Sequence, residues 1–258
     1  MGVNNAVKEV SSGYTGGVNS NNLIYSSKID IDKELTKVNP VKALTSGEFT
    51  KDDIGKTVYI NNTLIYCQEW RVADVNHDST NGTVDLWPKY VLDPISRTGS
   101  TTYSTIFMSE NNKNYLDSYV RSNLNKIYNG FDDTIKNAML VQTFTSDGVT
   151  VNDKMECPSV DEVGCNFLTE NGRYSFEPEG SIYPLFGSRQ IDRNANAILQ
   201  KVFYSGMANV HYWTRNGGYY YISNDKWYTF VTDEGSSGSC YGPNYTYYVS
   251  AFIRFGKK

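Results

Sequence analysis

The feature that most constrains this chain is its C-terminal end, where HYWTRN, GGYYYIS, KWYTFVT and YTYYVSAFIRF follow one another as short aromatic runs separated by Gly, Asn, Asp and Ser. Runs this short, rich in rings and β-branched residues and bounded by turn formers, read as antiparallel strands. Successive side chains of a strand point to opposite faces, so Tyr219, Tyr220 and Tyr221 cannot all be core, and Trp227 and Tyr228 cannot share a face. The expected core set is Trp213, Tyr220 and Phe230. The candidate ligand-binding residues, rings and the polar residues around them, are Tyr219, Tyr221, Asn224, Asp225, Trp227, Tyr228, Tyr241, Asn244 and Tyr245. Rigid rings set among small polar residues resemble a binding face, because the rings give contact area at low entropy cost while Asn, Asp and Ser adapt their hydrogen bonds.

The rest of the chain extends this pattern. From Thr57, TVYINNTLIYCQEWRVADV and TVDLWPKYVLD alternate in the manner of a strand meander, with Asn-Asn and Asn-Gly as turn signals. In NYLDSYVRSNLNKIYNGF, Tyr115, Leu116, Tyr119, Val120, Leu124, Ile127 and Tyr128 recur at helical spacing and Asn129-Gly130 closes the run. Asp132 and Asp133 favour the start of a second short helix reaching Met139. VQTFT reads as a strand, and Ser159 with Glu162 has the spacing of a capping box. Residues 166–200 read as loop. Residues 1 to about 40, with SSGYTGGVNSNN, are too rich in Gly, Ser and Asn to offset backbone ordering and read as a tail. The expected division is an extended docking segment over 1–50 and one domain over 51–258. No repeat at a period of about 20 to 50 residues is visible, which disfavours a solenoid or propeller.

Composition narrows the function classes. Tyr occurs 21 times in 258 residues, against 11 Phe and 4 Trp. Tyrosine suits half-wet positions, although a codon bias that also raises Asn accounts for part of that count. A net charge of −4 without a clustered Lys/Arg surface argues against nucleic acid. The longest apolar runs fall far short of the roughly 20 residues that cross a bilayer, and the N-terminus lacks a basic-then-apolar leader. Cytoplasmic folding is therefore expected, with Cys67, Cys157, Cys165 and Cys240 reduced; their spacing gives no zinc-type pair.

Candidate chemistry is sparse. Asp74, Asn76 and Asp78 have the spacing of a calcium loop, but Ser79 and Asp85 stand where such a loop needs Gly and a bidentate Glu, so a polar hairpin turn is the better account. His77 and His211 sit in no recognisable nucleophile motif, although a triad assembles from distant positions and leaves no local signature. The acidic pairs Asp132/Asp133, Asp161/Glu162 and Glu177/Glu179 are expected of a solvated face. These readings assign no catalytic residue, no metal and no cofactor.

The order QEWRVADV, YVRSNLNKIYNGF, CPSVDEVG, YPLFGS, HYWTRN and YYVSAFIRF resembles the uncharacterised C-type-lectin-like domains of Gram-positive bacteria and their phages, over roughly residues 55–258. The matching positions are Trp70, Arg121, Leu124, Asn125, Ser159, Glu162, Val163, Tyr212, Trp213, Arg215 and Arg254, most of them structural in character. The resemblance implies an α+β C-type-lectin-like domain of short aromatic antiparallel strands with one or two helices. It also implies a virion or phage-tail-like particle protein of tail, baseplate or fibre. Such a protein is expected to be a homo-oligomer, to dock on other particle subunits through its N-terminal segment, and to bind a host-surface glycan or protein. A particle decoration protein without a receptor is the alternative. A sulfatase-modifying-type enzyme is the third reading, and the separated Cys157 and Cys240 do not reproduce its pattern.

Overall fold

A computed structural model of the chain describes residues 40–65, 67–92, 105–106, 115–146, 148–164, 174–176, 179–187, 211–220, 226–232 and 246–257. The tail over 1–39, most of the loop over 166–200 and KVFYSG lie outside them. The described fold is α+β, with short, mostly antiparallel strands and few helices.

The main sheet is built from β1 (Thr57–Tyr59), β2 (Glu69–Val75), β3 (Thr83–Pro88), β5 (Met139–Leu140), β8 (Met155–Glu156) and the closing strand β13 (Phe252–Gly256). Its order is β1-β2-β3-β13-β5, with β8 also paired to β13. The last strand of the chain thus lies inside the sheet, with Ile253 opposite Leu86 and Arg254 opposite Asp85. Every residue of β3 and β13 is buried, because both faces of the sheet are covered. Val72, Leu86, Ile253 and Phe255 face one core with Trp70, while Ala73, Trp87 and Phe252 face a second core with Tyr183, Leu185 and Phe186. Burial on both sides replaces clean alternation with apolar residues on both faces, interrupted by the paired Asp85 and Arg254.

Helices cover the first face. The helix α1 (Pro40–Thr45) buries Leu44 in the larger core. In α2 (Tyr119–Tyr128), Val120, Leu124 and Ile127 form the inward stripe, and the Ser118 hydroxyl accepts the Arg121 N–H at 3.1 Å as the N-cap. Tyr115 sits in a preceding 3-10 turn, and Tyr119 is 46% exposed, so the apolar period starts at Val120 and not at Tyr119. The helix stops at Gly130, where any Cβ would run into the side chains of Asn62 and Leu64. Asn62 fixes that approach by donating to Ile127 O at 2.9 Å. A third helix, α3 (Asp133–Ala138), carries Asp133 in its first turn beside Lys136 at 2.8 Å. Asp132 holds the N-cap position without a side-chain cap, so the acid acts at the following residue.

Smaller sheets flank this body: β6 (Gln142–Ser146) with β7 (Val149–Asp153), β4 (Thr105–Ile106) with β12 (Thr246–Tyr247), and β9 (Tyr174–Phe176), β10 (Tyr212–Tyr220) and β11 (Lys226–Val231) in the order β11-β10-β9. Trp213 N–H donates to Tyr248 O at 2.9 Å, which ties β10 to the chain entering β13. Cys67 and Cys157 are buried; Cys165 and Cys240 lie outside the described residues.

The expected boundary at residue 50 is corrected by Leu44, which is 1% exposed within the main core. Leu44→Ala is expected to cost about 2–5 kcal/mol, the range for truncating a buried leucine. Urea unfolding checks this, and a chain starting at residue 51 should show the same loss while one starting at residue 40 does not.

Candidate functional site

Strand β10 carries an irregularity that decides the local architecture. Trp213 pairs with Phe230 and Gly217 with Tyr228, so β10 advances four residues while β11 advances two. The extra residues make a bulge over Thr214, Arg215 and Asn216, and a bulge re-aims the side chains it contains. The bulge is held by internal bonds: the Thr214 and Thr229 hydroxyls are hydrogen-bonded, Thr229 donates to Asn216 O at 3.3 Å, and Asn216 Oδ1 accepts Val160 N–H at 2.6 Å.

Arg215 is driven wholly inside, with 0% of its side chain exposed. Its guanidinium meets Glu162 through Nη1 at 2.7 Å and Nη2 at 2.5 Å, Glu156 at 3.1 Å and Glu179 at 3.2 Å, and it donates to Cys157 O at 2.6 Å. Its face lies 4.6 Å from the Phe144 ring centre. Glu162 is also the capping-box residue: its carboxylate accepts Ser159 N–H at 2.9 Å, while its own N–H donates to the Ser159 hydroxyl at 3.1 Å. The backbone there is a turn and not a helix. Three carboxyls around one guanidinium leave excess negative charge. Burial, with Glu162 close by, raises the Glu156 carboxyl well above its usual range. Burial likewise pushes the Cys157 thiol up and keeps it inert.

The positions matched in the sequence reading are spread over the fold. Ser159, Glu162 and Arg215 form the ion cluster, while Val163, Tyr212 and Trp213 pack around the start of β10. Arg254 pairs with Asp85 at 2.6 Å and Arg121 with Asp153 at 2.7 Å; Trp70 and Leu124 are core, and Asn125 is exposed on α2.

The expected binding residues divide as follows. In the backbone ladder Tyr219 pairs with Lys226, and Trp227 with Gly218, which puts both on neighbouring strands of one hairpin. Tyr221, Asn224, Asp225, Tyr241, Asn244 and Tyr245 lie outside the described residues. Tyr228 is corrected: it is 1% exposed and belongs to the main core with Trp213 and Phe230. Alternation fixed that Trp227 and Tyr228 differ in face, but only the packed layer decides which of them turns inward. Tyr212 and Trp213 are both buried because β10 starts between the two cores.

A second constellation escaped sequence reasoning. At the end of β2, Asp74 Oδ2 lies 2.8 Å from His77 Nδ1, and His77 Nε2 lies 3.3 Å from Ser181 Oγ, 104 residues further along the chain. The His77 ring is stacked on Tyr183 at 3.8 Å between centres. Asp78 Oδ1 accepts the Ser181 O–H at 2.8 Å. The turn that carries His77 is the expected polar hairpin turn between β2 and β3. Asn76 Oδ1 closes it by accepting Gly82 N–H at 2.6 Å and Thr83 N–H at 3.2 Å. The only sequence hint was the Asp-x-x-His spacing, which leaves the partner serine unspecified.

Removing one member of a buried ion cluster strands the others. Arg215→Met is therefore expected to destabilise the fold by about 3–5 kcal/mol in urea unfolding. The raised carboxyl gives a pH test. Glu156 binds its proton more tightly folded than unfolded, so its contribution is complete below about 4.5 and is lost as pH rises through the higher folded value. Glu156→Gln, neutral throughout, should lack that decline. Unfolding free energies of both proteins against pH should therefore shift in favour of the variant as pH rises.

In comparisons with known proteins, no family model, no curated protein and no solved structure matches the chain.

Proposed function

We propose that this chain is a structural protein of a phage or phage-tail-like particle, in the tail, baseplate or fibre, and that it presents a C-type-lectin-like domain for attachment to a host-surface receptor. The observation that carries the reading is the β10–β11 hairpin, which is fastened at one end and bears recognition-type residues at the other. Its anchored end holds the buried Arg215 cluster, Trp213 and Tyr228, whereas its far end pairs Tyr219 and Lys226 and continues into the polar, aromatic stretch over 221–225. Strands anchored in this way have less freedom to lose at binding, which favours affinity from few contacts. Aromatic faces stack on sugar rings while Asn224 and Asp225 accept or donate hydrogen bonds to hydroxyls, so a surface glycan is the receptor class that fits best. Each contact of this kind is weak. Several copies on one particle, docked on other subunits through the segment before residue 40, raise the effective affinity by avidity. Among the described residues, no helix is long and apolar enough to cross a membrane.

The combined replacement of Tyr219, Tyr221, Trp227 and Tyr245 by Ala is expected to abolish attachment of the multimeric protein to host cells, with little change in the urea midpoint. By contrast, Tyr228→Ala is expected to lose about 3–5 kcal/mol of stability, as for other large buried rings. Cell binding measured by flow cytometry and unfolding measured in parallel separate the two effects. Attachment that survives the folded multiple variant would move the recognition surface elsewhere on the domain.

A further inference from the structure

We propose that Asp74, His77 and Ser181 form a nucleophilic site that cleaves a carboxylic ester carrying a short acyl group. The geometry has the order that such chemistry needs, with an acid orienting a base and a base facing a hydroxyl. Asp74 is 3% exposed and its carboxylate accepts Val75 N–H at 2.6 Å besides pairing with Lys51 and His77. An ionised carboxylate only accepts, so Nδ1 donates to Asp74 and Nε2 is the nitrogen that faces Ser181 Oγ at 3.3 Å and Asp78 Oδ1 at 3.4 Å. Stacking on Tyr183, with planes 8° apart, prevents the ring from swinging away. His77 is 5% exposed, while Ser181 is exposed, so the base is sheltered and the nucleophile is reachable.

The serine is placed independently of the histidine. Gly180, at φ +76°, has a backbone conformation that side chains rarely adopt, and a Cβ there would collide with the Glu162 carboxylate. Glu179 N–H donates to Asp161 at 3.0 Å, Ser159 donates to Glu179 O at 2.5 Å, and Tyr183 N–H donates to Glu162 O at 2.9 Å. Ser181 therefore stands on a short segment pinned on both sides to the Arg215 cluster. On the other side, the turn bearing His77 has left-handed backbone at Asn76, Asp78 and Ser79. Strained conformations of this kind collect at functional sites.

The groups around His77 are Asp74, Asp78 and Asp85, with Arg254 neutralising Asp85 at 2.6 Å and reaching Asp78 at 3.9 Å. In the resting state the Ser181 O–H is given to Asp78. When an ester arrives, Ser181 Oγ attacks the carbonyl carbon and its proton passes to His77 Nε2. The bond from that carbon to the alcohol oxygen then breaks, and the alcohol leaves with the proton from Nε2. Water adds to the acyl-serine by the same route, its proton going to Nε2 and then to Ser181 Oγ, releasing the carboxylic acid. An exposed serine suits an acyl group of one or two carbons on a carrier that stays in solvent, as in an O-acetyl ester, because a long chain would need a buried channel.

The test uses the full chain with p-nitrophenyl acetate and, separately, a fluorophosphonate probe, reading adducts by peptide mass spectrometry and rates by nitrophenol release. The expected adduct is on Ser181, absent in Ser181→Ala, and its formation slows by roughly 100-fold in His77→Gln, the lower range for loss of a general base. Because His77 is buried, circular dichroism checks that this variant folds. If it does not, Asp78→Gly decides: glycine tolerates the left-handed backbone, and freeing the Ser181 O–H from Asp78 should raise the labelling rate. Folded wild-type protein without an adduct on Ser181, labelling unchanged in folded His77→Gln, or labelling lost in Asp78→Gly would each overturn the proposal. Cell attachment is read by a different assay on different residues, so failure here leaves the recognition reading standing.

Discussion

A guanidinium with no exposed surface cannot be left without counter-charge, and much of this molecule is arranged around that requirement at Arg215. Its carboxylate partners come from three separate segments: Glu156 on β8, Glu162 in the turn after it, and Glu179 beyond β9. An ion cluster of this kind adds little net stability compared with apolar packing, because desolvation offsets most of the Coulomb gain. What it does impose is arrangement. Any displacement of β10, of the 159–164 turn or of the 179–183 segment would leave a buried charge unpaired, so the three are held in one mutual placement.

A second buried pair does similar work inside the main sheet. Asp74 and Asp85 face each other across β2 and β3, and like charges in that relation repel. Each is given its own cation: Arg254 from β13 binds Asp85, while Lys51 binds Asp74, which also faces His77 Nδ1. Burial still raises the Asp85 carboxyl against the pull of Arg254. The closing strand is thus registered by charge as well as by its ladder, because a slip of one residue would turn Arg254 away from Asp85 and into the apolar face.

Local devices were legible in the sequence, and convergent ones were not. The β2–β3 turn and the Ser159/Glu162 capping box depend on contacts within a few residues, the α2 stripe on helical spacing, and each is present; the Asn129-Gly130 stop is present too, although Asn62 and Leu64 reinforce it from afar. Tyr228 was misplaced because alternation gives relative and not absolute facing, and the absolute choice is made by Trp213 and Phe230 across the ladder. Arg215 reads from sequence as one more charged strand residue. Its burial follows from a bulge that no residue pattern announces. The Asp74, His77 and Ser181 arrangement was hidden for a simpler reason: two of its members share a turn that looks merely polar, and the third lies 104 residues from His77.

The two buried charge systems meet at that arrangement. Left-handed backbone at three non-glycine positions costs roughly 1–3 kcal/mol each in general, and less for Asn and Asp. Here Asn76, Asp78 and Ser79 adopt it within one turn, which persists only if its surroundings over-determine it. On one side, the β2–β3–β13 ladder with its Asp85–Arg254 pair fixes both ends of the turn. On the other, the Arg215 cluster fixes Tyr183, whose ring stacks on His77 and also on Phe252 of β13 at 3.9 Å. His77 is therefore held by its stack on Tyr183, which lies between it and Phe252, and by Asp74, while Ser181 is bonded to Asp78 and stands on the segment pinned to the Arg215 cluster. The turn after β2 and the 179–183 segment are thus each anchored by buried charge, and together they bring His77 Nε2 and Ser181 Oγ to 3.3 Å.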